Sequence, residues 1–171
     1  MNKNKGILFW VTGLSGSGKT EISKKIKNKI SKLYGPTIIL HGDQLRKTLN
    51  LTRYSKNDRY LNSKKFALLC KSLTDQKINV IIALIGLFHK THSWNRKNID
   101  NYIEIYIQSN VKKIISYNKK KTYKNNKKNI VGLDIKAEFP KKPHIKIVNN
   151  FTKDLNYLAQ VLIKKINFLI S

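Results

Sequence analysis

Residues 10–20 read WVTGLSGSGKT, and from Gly13 to Thr20 they fit the pattern G-x-x-x-x-G-K-[ST]. The apolar run Ile7, Leu8, Phe9, Trp10, Val11 precedes them, as a buried strand feeding a phosphate loop should. Small residues at Gly13, Ser15, Gly16, Ser17 and Gly18, interrupted only by Leu14, let the backbone turn its N–H groups inward around a polyphosphate. A helix beginning near Lys19 aims its positive end at the same anion. Lys19 is placed to reach the β- and γ-phosphates, and the Thr20 hydroxyl to hold Mg²⁺. A glycine-rich turn with no ligand would leave the Lys and Thr in this register unexplained.

Working outward, 171 residues with 40% hydrophobic content suit one domain, 1–171, with a sheet covered on both faces. The opening MNKNKG runs straight into the first strand without a signal-peptide core, and no apolar run approaches the roughly 20 residues that span a bilayer, so a cytoplasmic protein without a membrane partner is expected. The single cysteine, Cys70, falls in the helical pattern Phe66, Leu69, Cys70, Leu73, which predicts a buried thiol and excludes a disulfide within the chain. The net charge of +26 raises the question of a nucleic-acid partner. Lys, Asn and Ile are abundant together, as an AT-rich coding sequence alone would produce, and no aromatic-studded RNA-binding motif or zinc finger is present. Attraction of a small anionic substrate accounts for the charge better than a polynucleotide does.

Short apolar runs alternating with helical patterns predict a three-layer α/β fold around a parallel sheet of about five strands. The strands expected are Ile7–Thr12, Thr37–Leu40, Val80–Leu84, Ile103–Ile107 and Ile145–Val148. The helices expected are Glu21–Lys32, Asn57–Lys77, Trp94–Asp100, Val111–Tyr117 and Thr152–Leu169, with Gly35-Pro36 turning into the second strand. The run NKKKTYKNNKK, Asn118–Lys128, has no acidic or aliphatic residue, and a mobile basic lid is expected over about 118–130.

A phosphate loop alone does not separate a kinase from a GTPase or a motor ATPase. The next strand end reads IILHGDQLRKTL, with Asp43 and Arg46 just past its carboxyl end and therefore facing the phosphate loop. A carboxylate there can hold Mg²⁺, directly or through water, and take the proton of an attacking hydroxyl, while an arginine one helical turn on can grip an acceptor's phosphate. The third strand, VIIAL, carries no Asp at its end, which leaves that work to Asp43. The plainer reading of Asp43 is a helix N-cap.

These residues resemble the adenylyl-sulfate kinases, which use ATP to phosphorylate the ribose 3′-hydroxyl of adenosine 5′-phosphosulfate. The resemblance runs through FWVTGLSGSGKT, HGDQLRKTLN, YSKNDRYLNSKKFALL, YIEIYIQ and NIVGLDIKAEFP. It implies ATP on Gly13–Thr20, Asp43 as base and metal-linked carboxylate, and Arg46, Arg59 and Asn62 around the acceptor's phosphate and sugar. Tyr54 falls where the family stacks a phenylalanine on the acceptor base, and Lys120, Tyr123 and Lys124 fall in the family's KGLYKK lid. A homodimer is a further implication.

The departures bear on the acceptor. His41-Gly42-Asp43 stands for the family's DGD, Ile85-Gly86-Leu87-Phe88 for F-I-S-P, and Tyr117 for an arginine at the ATP site. The second base-stacking phenylalanine, in NFTGID, is Ile130 in NIVGLD, so one side of an aromatic sandwich is gone. Base–aromatic stacking contributes roughly 1–3 kcal/mol, and a pocket closed by an aliphatic residue suits a smaller pyrimidine at least as well as a purine. In this the chain resembles a branch of the family, the cytidine diphosphoramidate kinases of capsule modification. The ordinary adenylyl-sulfate reaction stays open, with Phe139 restoring the stack. So do two remoter classes, a nucleic-acid-acting ATPase and a nucleotide-binding module without turnover. His89 and His92 read as surface polar groups, Arg96 as solvated or helix-capping, Trp10 as core, and His144 as a flank of the last strand.

Overall fold

The computed structural model describes residues 1–118 and 129–171. The expected lid residues Lys120, Tyr123 and Lys124 lie outside them. Strand β1 (Leu8–Thr12) is buried throughout and pairs in parallel with β3 (Asn79–Ala83) on one side and β4 (Tyr102–Gln108) on the other. The edges are β2 (Thr37–His41) beside β3 and β5 (Ile145–Val148) beside β4, giving the order β2-β3-β1-β4-β5, all parallel. Central strands covered on both faces need near-continuous apolar sequence, which NVIIA and LFWVT supply, whereas β5 at the edge alternates buried and exposed residues.

The two-residue period of β1 divides the interior. Phe9 and Val11 face helix α1 (Lys19–Tyr34) and the C-terminal helix α6 (Leu155–Ile170), meeting Ile22, Ile26 and Leu162. Leu8 and Trp10 face the opposite layer, where α3 (Lys56–Asp75) contributes Phe66 and Cys70. A third cluster gathers at the carboxyl end of the sheet. It joins Leu14 of the phosphate loop, Leu87, Ile114 of α5 (Val111–Asn118), Val131 and Ile135. Gly132, at φ +97°, allows this approach, because a Cβ there would lie 2.7 Å from Leu14 Cδ2.

The five expected strands and the turn at Gly35 agree with the structure. Asp154 accepts from the Tyr157 N–H at 2.7 Å, which starts α6 at Leu155 and not at Thr152. Two helices differ from expectation. A seven-residue helix, α2 (Gly42–Thr48), follows β2, and α4 spans His89–Asn98, five residues ahead of the predicted start. Its buried face is Thr91, His92 and Asn95, so apolar periodicity could not reveal it. His92 is therefore not a surface group, and Arg96, though exposed as expected, is ion-paired: its Nη2 donates to Glu104 Oε2 at 2.7 Å. No helix among the described residues is long and apolar enough to cross a membrane.

Candidate active site

The phosphate loop leaves β1 at Gly13, where a Cβ would sit 2.4 Å from the Ile107 carbonyl, and bends through left-handed Gly16 and Gly18 at φ +80° and +93°. Gly18 caps α1 with no side-chain acceptor, so the first N–H groups of the helix face the cleft unclaimed by a side-chain cap. Lys19 is buried and donates to the Leu14 carbonyl at 2.6 Å, curling over the loop it would neutralise. Gly16, Gly18, Lys19 and Thr20 line an open cleft of about 630 Å³. Tyr117 stands at its mouth, stacked on Phe151 with ring centroids 4.6 Å apart and planes 22° from parallel.

One residue that sequence reasoning missed pins this loop. Asn149, after β5, is buried; its Nδ2 donates to the Ser17 carbonyl at 3.0 Å and its Oδ1 accepts from the Phe151 N–H at 2.9 Å. A lone Asn in VNNF carries no motif that would have found it.

A second pocket opens where β2 and β3 end. Asp43, Arg46, Arg59 and Asn62 all line it, together with Ser63, Phe66, Leu84, Gly86, Phe88 and Val131. Asp43 is the second residue of α2; the N-cap is His41, so capping does not occupy the carboxylate. Gly42 makes the approach possible, since a Cβ there would lie 2.8 Å from Leu84 Cβ. The Asp43 carboxylate makes no hydrogen bond or ion pair among the described residues. Arg46 Nη2 donates to the Leu51 and Arg53 carbonyls at 2.5 and 2.6 Å, while its buried Nε has no hydrogen-bond partner among the described residues. Arg59 donates to the Tyr54 carbonyl at 3.0 Å and to the Asn129 carbonyl at 2.8 Å. Burial, and then the charge of Arg46, push the Arg59 guanidinium below its usual pKa. Two cations crowded in this way are relieved by an anion.

Tyr54 and Ile130 are not among the residues lining that pocket. The Tyr54 ring lies under the Arg46 guanidinium, 4.1 Å from centroid to Cζ, so a cation covers ring surface where a base was expected. Ile130 sits in the turn that Arg59 ties to Tyr54, and Val131 is the residue of that turn that reaches the pocket. Phe139, the alternative stacking ring, packs on Tyr106 with centroids 5.8 Å apart. No group of three or more His, Cys, Asp or Glu among the described residues could hold a metal ion; Thr20 lines the phosphate-loop cleft and Asp43 the second pocket.

A profile of the adenylylsulphate kinases matches residues 5–148. The chain belongs to the adenylyl-sulfate kinase family. Like the family, it is a phosphotransferase with a hydroxyl acceptor. A Campylobacter jejuni cytidine diphosphoramidate kinase is 36% identical over 169 residues, 96% of this chain and 98% of that one. A Clostridium kluyveri adenylyl-sulfate kinase is 31% identical over 170 residues, 96% and 83% of the two chains. Among solved structures, the Mycobacterium tuberculosis APS kinase in complex with AMPPNP and APS matches at a TM-score of 0.79, with 24% identity, over 95% of this chain and 98% of that one. The fold of this adenylyl-sulfate kinase family member is thus shared, and its phosphate loop and the second pocket both open at the carboxyl end of the sheet.

Proposed function

We propose that the protein transfers the γ-phosphoryl group of ATP to the ribose 3′-hydroxyl of a cytidine nucleotide whose 5′-diphosphate ends in an amide, cytidine diphosphoramidate, for capsule modification. The observation that carries the choice of acceptor is the 36% identity to a kinase of that name across nearly the whole of both chains. The geometry supports the chemistry. ATP phosphates would lie on Gly13–Thr20, with the adenine at the Tyr117–Phe151 stack. Bound Mg²⁺, held by Thr20 and Asp43, would neutralise charge on the transferring phosphoryl. Asp43, unencumbered by other partners, accepts the proton of the attacking hydroxyl.

Arg46 and Arg59 hold the acceptor's diphosphate, and Asn62 its sugar. The pocket encloses only about 50 Å³, so the base would lie at its mouth, beside the turn that carries Ile130 and Val131. We infer a single catalytic domain working as a homodimer, which light scattering tests directly.

The assay is ADP release with cytidine diphosphoramidate, CDP, adenosine 5′-phosphosulfate and single-stranded DNA offered separately. Turnover with the cytidine diphosphoramidate at the highest kcat/KM supports the reading. Preference for adenosine 5′-phosphosulfate returns the chain to the ordinary adenylyl-sulfate reaction; stimulation only by DNA, or no turnover at all, removes the small-nucleotide kinase.

A further inference from the structure

Beneath the acceptor pocket lies a buried polar cluster that the proposed chemistry does not use. Glu104, in the middle of β4, is fully buried; its Oε2 accepts from Arg96 Nη2 at 2.7 Å and from the Tyr102 hydroxyl at 3.2 Å. His92 of α4, 4% exposed, has Nδ1 3.6 Å from Glu104 Oε1 and Nε2 2.7 Å from the Gly86 carbonyl oxygen. A carbonyl can only accept, so Nε2 carries hydrogen. In the neutral ring Nδ1 is then bare and faces a carboxylate oxygen that has no partner among the described residues.

Gly86 belongs to the wall of the acceptor pocket, with Leu84, Ile85 and Phe88. It holds φ +42°, and a Cβ there would come within 3.2 Å of Trp10 Cζ2. The preceding carbonyl, that of Ile85, accepts from the Thr12 hydroxyl at the last residue of β1. Two successive carbonyls of one wall are therefore tied, one to the strand that feeds the phosphate loop and one to His92. We propose that His92 is a positioning residue for the acceptor: its Nε2–H fixes the Gly86 carbonyl and with it the wall against which the acceptor lies, while the Arg96–Glu104 pair braces that layer. This rests on the reading that the pocket holds the acceptor.

The groups facing His92 are Glu104 and Tyr102 from β4, Arg96 and His89 from α4, and His144 ahead of β5, whose Nδ1 accepts from the Glu104 N–H at 2.8 Å. Burial lowers the His92 pKa against the opposing pull of Glu104, which keeps the ring neutral at pH 7 and above. A proton added at Nδ1 on the acid side would meet Glu104 Oε1 and leave Nε2–H in place, so the bond to Gly86 survives in both states.

The test compares His92→Leu, which has no donor, with His92→Gln, whose amide N–H₂ falls near the former Nε2. Acceptor KM should rise about tenfold in His92→Leu, the effect of one lost buried hydrogen bond, with ATP KM within about twofold, and His92→Gln should recover most of it. Equal losses in both variants, or a rise in both KM values together, would reduce His92 to packing and overturn the proposal. Should His92→Leu not fold, ¹⁵N spectra of the parent decide: the Nε2–H tautomer at pH 7.5 supports the assignment, and the Nδ1–H tautomer refutes it. A parent inactive on every acceptor would refute the proposed function, while the tautomer would still judge the tie between His92 and Gly86.

Discussion

Replacing Asn149 with alanine tests whether the phosphate loop is held from outside. The substitution strips the partner from the Ser17 carbonyl, which lies in a fully buried residue, and from the half-buried Phe151 N–H. An orphaned buried polar group costs about 1–3 kcal/mol, and water can reach the Phe151 N–H, so the total expected is about 2–4 kcal/mol. For a chain of this size each kcal/mol lowers Tm by roughly 2–4 °C, which predicts a fall of about 4–16 °C. Function should suffer in the same place. Gly18 lies against Asn149 Nδ2, so a freed loop loses the arrangement of its N–H groups and ATP KM should rise about tenfold or more, with acceptor KM little changed. Asn149→Asp sharpens the argument, since it keeps an acceptor for Phe151 but turns an anion toward the Ser17 carbonyl and the phosphates. Its ATP KM should exceed that of the alanine variant. Thermal denaturation by circular dichroism and steady-state kinetics in both substrates supply the readings. A Tm within 1 °C of the parent, together with an unchanged ATP KM in Asn149→Ala, would refute the reasoning.

Asp43→Asn should lower the acceptor-dependent rate by roughly 10²–10⁴ while ATP affinity stays within a few-fold, and a loss of ATP binding with no rate effect would make the residue structural. Tyr117→Ala should raise ATP KM by roughly ten- to hundredfold, the worth of one stacked base; an unchanged KM would remove the adenine from the Tyr117–Phe151 stack. Burial holds His41, His92 and His144 each below the ordinary imidazole pKa. Below about pH 6.5 the unfolded chain therefore binds protons that the folded chain refuses, so their contribution to stability is complete above that pH and is lost as the pH falls. Melting curves from pH 7.5 to 5 should show a declining Tm that flattens in His92→Gln, and a flat or rising parent curve would contradict this.

Much of the fold could be read because hydrophobic runs and glycines report directly on it. LFWVT, NVIIA and the glycines of the phosphate loop each have one good structural solution, and all three occur where expected. Asp43, Arg46, Arg59 and Asn62 converge on one pocket because α2 and α3 both begin beside the carboxyl edge of the sheet. The helix α4 was hidden because its buried face is polar, and buried polar residues look like surface in a sequence. His92 was misread for the same reason, and the ion pair of the exposed Arg96 was missed, since their partner Glu104 sits in an otherwise apolar strand. The stacking surface of Tyr54 depends on which neighbour claims it, and the cation at Arg46 lies eight residues back in helix α2.

Arg46 surrenders its side-chain freedom during folding. Two backbone carbonyls and the Tyr54 ring fix its guanidinium at the wall of the pocket. Immobilising a long side chain at a binding site ordinarily costs about 0.5–1.5 kcal/mol, and here that cost falls on the folding of the 49–54 loop and not on the encounter. Calorimetric titration of the acceptor should therefore show a smaller entropic loss than a mobile arginine would bring. Loosening the loop with glycine at Leu51 or Arg53 should shift that loss back onto binding, with the anion–guanidinium enthalpy left much as it was.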